Sequence, residues 1–312
     1  MGNVSGLHHV TCVVGDLDRS RRFYVEILGM TALRRTVNPD EKTVVQLYCG
    51  DDLGKPGTVI SLLDHRGAPS AIHGTGQVNN IVFSIAHGSE AQWEQKLADH
   101  NWSLDGYGWS FGEKILCLTD PDGLTLGLVA SRGDAPPHRS SVASLSPVVG
   151  RIRSVELRTR YFEHIAGMLT SVFGFHIAEN EGPVTRFVHP AFRDRFALDI
   201  LCAPTHRLGR DGLGLAHHLA WAVEDLEELE AIRLAVAAAG FDISPVLNRH
   251  FFLAVYFNGP ENLPFAVATE KPGFSPQGEP FDVNRLSLPP WLEAKRARIE
   301  QRIENLRPPQ NI

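Results

Sequence analysis

The chain has 312 residues, of which 43% are hydrophobic and 21% charged, a composition typical of globular proteins. The net charge of -6 and the pI near 6.2 give no electrostatic basis for a nucleic-acid partner. No uninterrupted apolar stretch reaches the roughly 18 residues that a membrane span needs, so no membrane partner is expected. The four cysteines stand singly, and the N-terminus lacks a signal-peptide pattern, which favours a cytoplasmic location.

Two distant stretches of the chain share one pattern. His8-His9 opens an alternating apolar run near the start, and His217-His218 opens another much later. In both stretches an Asp follows the second His after seven residues, as Asp16 and as Asp225. Each Asp precedes an amphipathic segment that we predict to be a capped helix. The repetition indicates a duplicated unit that brings imidazoles toward a shared centre.

The order β-α-β-β-β recurs four times along the chain. We predict an N-terminal domain of modules one and two (residues 1–133), a Pro- and Ser-rich linker (134–150) and a C-terminal domain of modules three and four (151–272). A tail (273–312) with a charged helix is expected to wrap the body or a partner subunit of a homo-oligomer. Because each module leaves one sheet face open, the predicted fold is α+β, with modules paired so that curved mixed sheets enclose a metal cavity.

Only the first and fourth modules supply histidine to this cavity. Residues two apart in a strand share a face, which predicts His9 on one face and His8 on the other. In the second and third modules the position of His9 is filled by Asn80 and Ser154. We therefore predict one metal centre between modules one and four. Neutral imidazole suits several divalent metals, so the pattern leaves the metal open.

Further segments complete a recognisable pattern. They are Leu7-His8-His9-Val10-Thr11, Arg35-Thr36-Val37-Asn38, Gly54-Lys55-Pro56-Gly57-Thr58, Phe111-Gly112-Glu113, Asp120-Pro121-Asp122-Gly123 and residues 217–274. With these segments the chain resembles the vicinal oxygen chelate superfamily of glyoxalases, bleomycin-resistance proteins and extradiol dioxygenases. More narrowly, it resembles the ring-cleaving branch that includes hydroquinone dioxygenases. The resemblance implies an oxidoreductase that acts on a hydroquinone- or catechol-like phenol with O2.

The resemblance also implies a 2-His-1-carboxylate site for Fe(II), with Mn(II) as the alternative. Its ligands would be His9, His218 and a Glu, but the corresponding residue here is Ala266, which cannot bind a metal. Glu270 shares the strand face of that position but lies about 13 Å away along the strand. We expect Glu270 and Glu261 to be solvated surface carboxylates rather than substitute ligands.

Four further residues match functional positions of the branch. Arg249 and Tyr256 correspond to residues that contact the oxygen atoms of the substrate, and His8 and His217 correspond to second-sphere or acid/base histidines. The alternatives are a surface ion pair for Arg249, a half-buried strand position for Tyr256, and simple packing for the two histidines.

Ala266 leaves three interpretations open. In the first, the chain is a variant of a catalytic scaffold with impaired ring cleavage. In the second, its two histidines form a metal site that admits an exogenous anion such as halide or azide. In the third, it is a metal-free binding module. A bleomycin-resistance type of binding protein fits poorly, because such proteins keep no paired histidines. A glyoxalase-type isomerase also fits poorly, because it needs carboxylate or amide ligands where this chain has Gly127 and Ala266.

Overall fold

The computed structural model describes residues 4–131, 146–274, 282 and 285–305, and contains all four modules in the predicted order. The first module comprises β1 (Gly6–Val14), α1 (Leu17–Arg21) continued by a π-helix (Arg22–Ile27), β2 (Thr31–Val37), β3 (Val45–Gly50) and β4 (Val59–Asp64). The second comprises β5 (Gln77–Ala86), α2 (Glu90–Asp99), β6 (Gly106–Ser110), β7 (Glu113–Thr119) and β8 (Thr125–Ser131).

The second half of the chain repeats this order. The third module comprises β9 (Ile152–Thr159), α3 (Phe162–Ser171), β10 (His176–Glu181), β11 (Val184–Val188) and β12 (Ala197–Cys202). The fourth comprises β13 (Leu215–Val223), α4 (Leu226–Ala238), β14 (Leu247–Asn248), β15 (Phe252–Asn258), a 3-10 turn (Pro260–Asn262) and β16 (Pro264–Pro272). In the described ranges, no helix is both long and apolar enough to cross a bilayer.

The two repeated aspartates cap the helices that follow the histidine strands. The Asp16 carboxylate accepts hydrogen bonds from the backbone amides of Asp18 and Arg19, both at 3.0 Å. The Asp225 carboxylate accepts one from the amide of Glu228 at 3.1 Å. Because the first amides of a helix have no partner within the helix, such a cap fixes where the helix begins. The predicted strand–cap–helix unit is therefore present in both modules.

Hydrogen bonds between strands pair the first module with the fourth and the second with the third. The strand order is β2-β3-β4-β1-β13-β16-β15-β14 in one half and β6-β7-β8-β5-β9-β12-β11-β10 in the other, and a single Ala216–Val78 pair of β13 and β5 joins them. Modules one and four, between which the sequence predicts the metal centre, are thus neighbours in one sheet. The predicted domain boundaries stay a prediction, and most of the linker lies outside the described residues.

One face of each sheet packs against its helices and the other faces inward. On the outer side, Val10 of β1 and Trp221 of β13 belong to the main hydrophobic core, and both are fully buried. A smaller apolar cluster lies on the inner side and includes Tyr48 and Phe252. Burial of the outer faces drives the sheets to curve around the inner side, where the histidines lie.

The tail packs on the body of the same chain. Its described part contains two helices, α5 (Pro290–Glu293) and α6 (Arg296–Asn305). The buried side chains of Leu292 and Ile299 belong to the main core. The backbone amide of Ser287 also donates to the carbonyl of Arg35 in β2 at 2.7 Å.

A buried carboxylate connects modules three and four with the segment that leads into module two. Glu261, between β15 and β16, accepts hydrogen bonds from the hydroxyls of Thr75 (2.9 Å) and Thr159 (2.6 Å) and from the backbone amide and Nε of Arg160 (both 2.8 Å). Its side chain is 1% exposed, so the expectation of a surface carboxylate is wrong for this residue. Burial opposes ionisation of Glu261, but the hydrogen bonds outweigh it and lower its pKa.

We predict that Glu261→Gln lowers the free energy of unfolding by about 2 kcal/mol, the order expected when hydrogen bonds to a buried charge are weakened. Because folding lowers the pKa of Glu261 from its usual 4.5, its ionisation stabilises the fold above pH 4.5, and this stabilisation is lost as the pH falls through the lowered pKa. Urea denaturation at several pH values measures both effects.

The matched control is Glu179→Gln, which changes an exposed carboxylate of β10. It should leave the stability within about 0.5 kcal/mol of the unmodified protein. Equal stability of the two variants at neutral pH would rule out the structural role of Glu261.

Candidate functional site

A β-bulge at the start of β1 sets the direction of the first histidine pair. The register with β13 shifts between Leu7 and His9, so His8 is an extra residue in the strand. Both imidazoles contact the inner residue Phe252, with ring centroids 4.9 Å away for His8 and 5.4 Å for His9. The predicted alternation, which put His8 on the opposite face, is therefore wrong, because it assumed an unbroken strand.

His9 and His218 meet on neighbouring strands. In the antiparallel β1–β13 pair His9 lies opposite Ala220 and Thr11 lies opposite His218. The two ring centroids are 5.5 Å apart with planes at 78°. Both side chains are buried. The structure thus brings these two imidazoles together between the first and fourth modules.

Burial keeps these imidazoles neutral. It lowers the pKa of His9 and of His218 well below the ordinary value, and the adjacent His8 and His217 lower them further. Burial also lowers the pKa of His8 to about 4, against the opposing effect of a hydrogen bond to the backbone of Thr269. A neutral imidazole has a lone pair that can bind a metal, so the rings are in their ligating form at neutral pH.

A hydrogen bond links the two rings of the first pair. The Nδ1 atoms of His8 and His9 are 2.7 Å apart, so one must donate and the other accept. When His9 donates from Nδ1, its Nε2 lone pair is left for a ligand.

The second pair repeats this arrangement. The Nδ1 atoms of His217 and His218 are 2.9 Å apart, and His218 Nε2 lies 3.2 Å from the hydroxyl oxygen of Thr11. When His218 carries its proton on Nδ1, the Thr11 hydroxyl donates to Nε2. An ion at His218 would replace that hydrogen bond. His217 is exposed, in contrast to its buried neighbour.

A cavity of about 430 Å³ opens beside the histidines. Tyr48 and Phe252 line it as aromatic walls, and Arg249 and Tyr256 supply a polar end. Arg249 Nε donates to the Tyr256 hydroxyl oxygen at 3.0 Å, and the guanidinium carbon lies 4.7 Å from the centre of that ring. Burial raises the pKa of Tyr256, although Arg249 opposes this, so the phenol stays protonated and can donate to a bound oxygen atom.

Ala266 lies on the same row across the sheet. Ala220 of β13 pairs with His9 on one side and with Ala266 on the other, and Ala266 pairs with Tyr256 of β15. Residues opposite one another share a face, so position 266 faces the same side as His9, about 10 Å away at two strand spacings. A glutamate there could reach toward the imidazoles, whereas the buried methyl of Ala266 cannot.

The side chains around the cavity supply two metal ligands, the imidazoles of His9 and His218. Within residues 4–131, 146–274 and the described tail, no three His, Cys, Asp or Glu side chains are grouped to hold an ion. Glu261 is engaged in its own network, and Glu270 accepts a hydrogen bond from the Ser5 hydroxyl at 2.7 Å beside a different cavity. His9 and His218 therefore suit a divalent ion as a pair of imidazole ligands, and neither carboxylate completes the set.

The second sheet carries different side chains in the same row. There Asn80, Glu156, Asp199 and Arg186 occupy the successive strands, with Asp199 at the register position of Ala266. Asp199 binds Arg186 through two hydrogen bonds of 2.7 and 2.8 Å. The carboxylate at the position of Ala266 is thus engaged in a bidentate ion pair in the second sheet.

The sequence analysis missed part of the lining of this cavity. Asp40, Tyr48 and Phe252 belong to the missed part, although they lie far apart in the chain. The sequence could have pointed to Asp40 as a cavity residue, because Asp40 lies two residues after the family-like segment that ends at Asn38. Tyr48 and Phe252 carried no signal, because their apolar strands look like ordinary core.

Comparisons with known proteins extend these observations. A family model described as "Glyoxalase/Bleomycin resistance protein/Dioxygenase superfamily" matches residues 6–128. MhqO of Bacillus subtilis, provisionally named a ring-cleaving dioxygenase, is 30% identical over 298 residues, which cover 95% of each chain. The chlorohydroquinone/hydroquinone 1,2-dioxygenase of Sphingobium indicum is 24% identical and covers 93% of each chain.

Solved structures agree with this fold. A crystal structure of a B. subtilis protein, provisionally titled a dioxygenase, superposes with a TM-score of 0.89 at 29% identity and covers 97% of each chain. Glyoxalase I of Zea mays has the same fold, with a TM-score of 0.64 at 18% identity over 85% of this chain and 92% of that one. The predicted fold, and an oxidoreductase of the dioxygenase type, are thereby confirmed. The chain belongs to the glyoxalase/bleomycin resistance protein/dioxygenase superfamily, in the branch of the ring-cleaving dioxygenases.

Proposed function

We propose that this chain is a ring-cleaving dioxygenase scaffold for hydroquinone- or catechol-like phenols, and that His9 and His218 bind Fe(II), with Mn(II) as the alternative. One observation carries the proposal: two neutral imidazoles, each held by a neighbouring histidine, lie beside the same cavity as Arg249 and Tyr256. The relatives named for ring cleavage support the reaction type, and one of them is named for hydroquinones.

The protein side of the reaction follows from these contacts. His9 and His218 would hold the iron, which when bound would supply Lewis-acid and redox chemistry for a phenol and O2. His8 and His217 hold the ligand rings through their Nδ1 atoms. Arg249 contacts a substrate oxygen as a hydrogen-bond donor, and the Tyr256 hydroxyl donates a hydrogen bond to a substrate oxygen. Tyr48 and Phe252 enclose the apolar faces of the ring.

Ala266 limits what this site can do unaided. An ion held by two neutral imidazoles lacks the carboxylate that would balance its charge, so its affinity should be weak and native ring cleavage impaired. A second candidate therefore follows from the same residue: because Ala266 supplies no ligand, the two-histidine site would admit an exogenous anion such as azide or halide. A metal-free binding module is the outcome if no ion binds under either condition.

We predict that His9→Ala and His218→Ala abolish Fe(II) binding, because each removes one of only two imidazole ligands. Anaerobic titration with Fe(II), with and without azide, measures the affinity, and iron analysis after gel filtration measures occupancy. The control is His100→Ala, an exposed histidine at the end of α2, which should bind as the unmodified protein does. Binding that survives both ligand substitutions would disprove this metal site.

We predict that Ala266→Glu tightens Fe(II) binding by at least about tenfold, since loss of even a partner of a metal ligand has an effect of that order. Oxygen uptake with hydroquinone should rise in parallel, because the restored carboxylate balances the charge of the ion. Ala266→Gln is the matched control, having the same size without the charge. If Ala266→Glu performs no better than Ala266→Gln, the third ligand does not belong at this position.

A further inference from the structure

The Arg249 guanidinium is bound on two sides at the cavity mouth. Its Nη1 lies 2.6 Å from the carboxylate of Asp40, and its Nε donates to the Tyr256 hydroxyl at 3.0 Å. Asp40 stands between β2 and β3 of the first module, whereas Arg249 stands between β14 and β15 of the fourth. The ion pair therefore connects the two modules that enclose the cavity.

The two partners of this ion pair differ in their contact with water. The side chain of Arg249 is 11% exposed, and that of Asp40 is 67% exposed. Arg249 is thus a nearly buried cation beside the ligand space, where its field is weakly screened. Asp40 neutralises it from the solvent side. An anionic group on a ligand would compete with Asp40 for the same guanidinium.

Arg249 is the permanent cation of this cavity. Among the described residues, it is the only Arg or Lys that lines the cavity. With Asp40 in place, the charge of Arg249 is already balanced where it meets the ligand space.

We propose that Asp40 is a specificity-determining residue, which makes the Arg249 end of the cavity favour phenols that carry no ring carboxylate there. This inference rests on the proposed function, in that it takes a phenol as the ligand of this cavity. The selection works at Arg249: its charge is already balanced by Asp40, so a carboxylate placed beside it loses water without gaining an unpaired cation.

Asp40→Asn separates charge from geometry. The asparagine amide oxygen can still accept a hydrogen bond from Arg249 Nη1, and Arg249 keeps its contacts with Tyr256. Only the negative charge is lost. Glu41→Gln is the matched control, because Glu41 is an exposed carboxylate of the same segment that also lines the cavity and for which no ion pair with Arg249 is present.

The test compares two probes by calorimetric titration of the full chain in the absence of metal ions: hydroquinone and 2,5-dihydroxybenzoate, which is hydroquinone with one carboxylate. We expect the unmodified protein to prefer hydroquinone. Asp40→Asn should shift the ratio of the two Kd values toward the carboxylate by about tenfold, on the scale of exposing one unpaired charge to a ligand. Glu41→Gln should shift it less than threefold, because an exposed charge is screened. The double variant Asp40→Asn with Arg249→Gln should lose the gain.

The outcomes separate this inference from the proposed function. If hydroquinone binds but the ratio does not move in Asp40→Asn, or moves equally in Glu41→Gln, the role of Asp40 is overturned and the phenol site stands. If neither probe binds any variant, the assignment of a phenol ligand fails and this inference fails with it. Melting curves of each variant verify that the fold is retained.

Discussion

The antiparallel pairing of β1 with β13 is the contact on which the site depends. It joins the first and last modules, which are separated by about two hundred residues of chain. The register places His9 opposite Ala220 and Thr11 opposite His218, so the two imidazoles converge on one side of the sheet. A shift of the register by one residue would turn one histidine to the outer core and separate the rings.

Each buried imidazole of the site has a hydrogen-bond partner, which offsets the free-energy cost of burying a polar ring. A buried imidazole is tolerated when it is neutral and hydrogen-bonded. His8 and His217 provide such bonds from within the same strands, through Nδ1 contacts of 2.7 and 2.9 Å. The bulge at His8 makes this possible in the first module, because it turns two consecutive side chains toward the same inner space.

The two sheets show how one scaffold accommodates either a site or a structural ion pair. In the second sheet the row is closed by Asp199 and Arg186, which satisfy each other. In the first sheet the same row carries His9 and Tyr256 with two alanines between them, and the inner space stays open as a cavity. The polar groups of this cavity are set by residues from both modules, as Asp40 and Arg249 illustrate. Duplication therefore fixes the geometry, and the side chains of each row decide whether chemistry is possible there.

The sequence by itself determined the four modules, the capped helices after Asp16 and Asp225, and the histidines of the first and last repeats, because these depend on local periodicity and on residues close in the chain. It also placed Ala266 where a ligand was expected. The tertiary structure alone decided the register in which β1 pairs with β13, that His8 turns inward at a bulge, and that Glu261 is buried in a network rather than exposed to solvent. These features depend on contacts between residues far apart in sequence, whose register and burial no local pattern encodes.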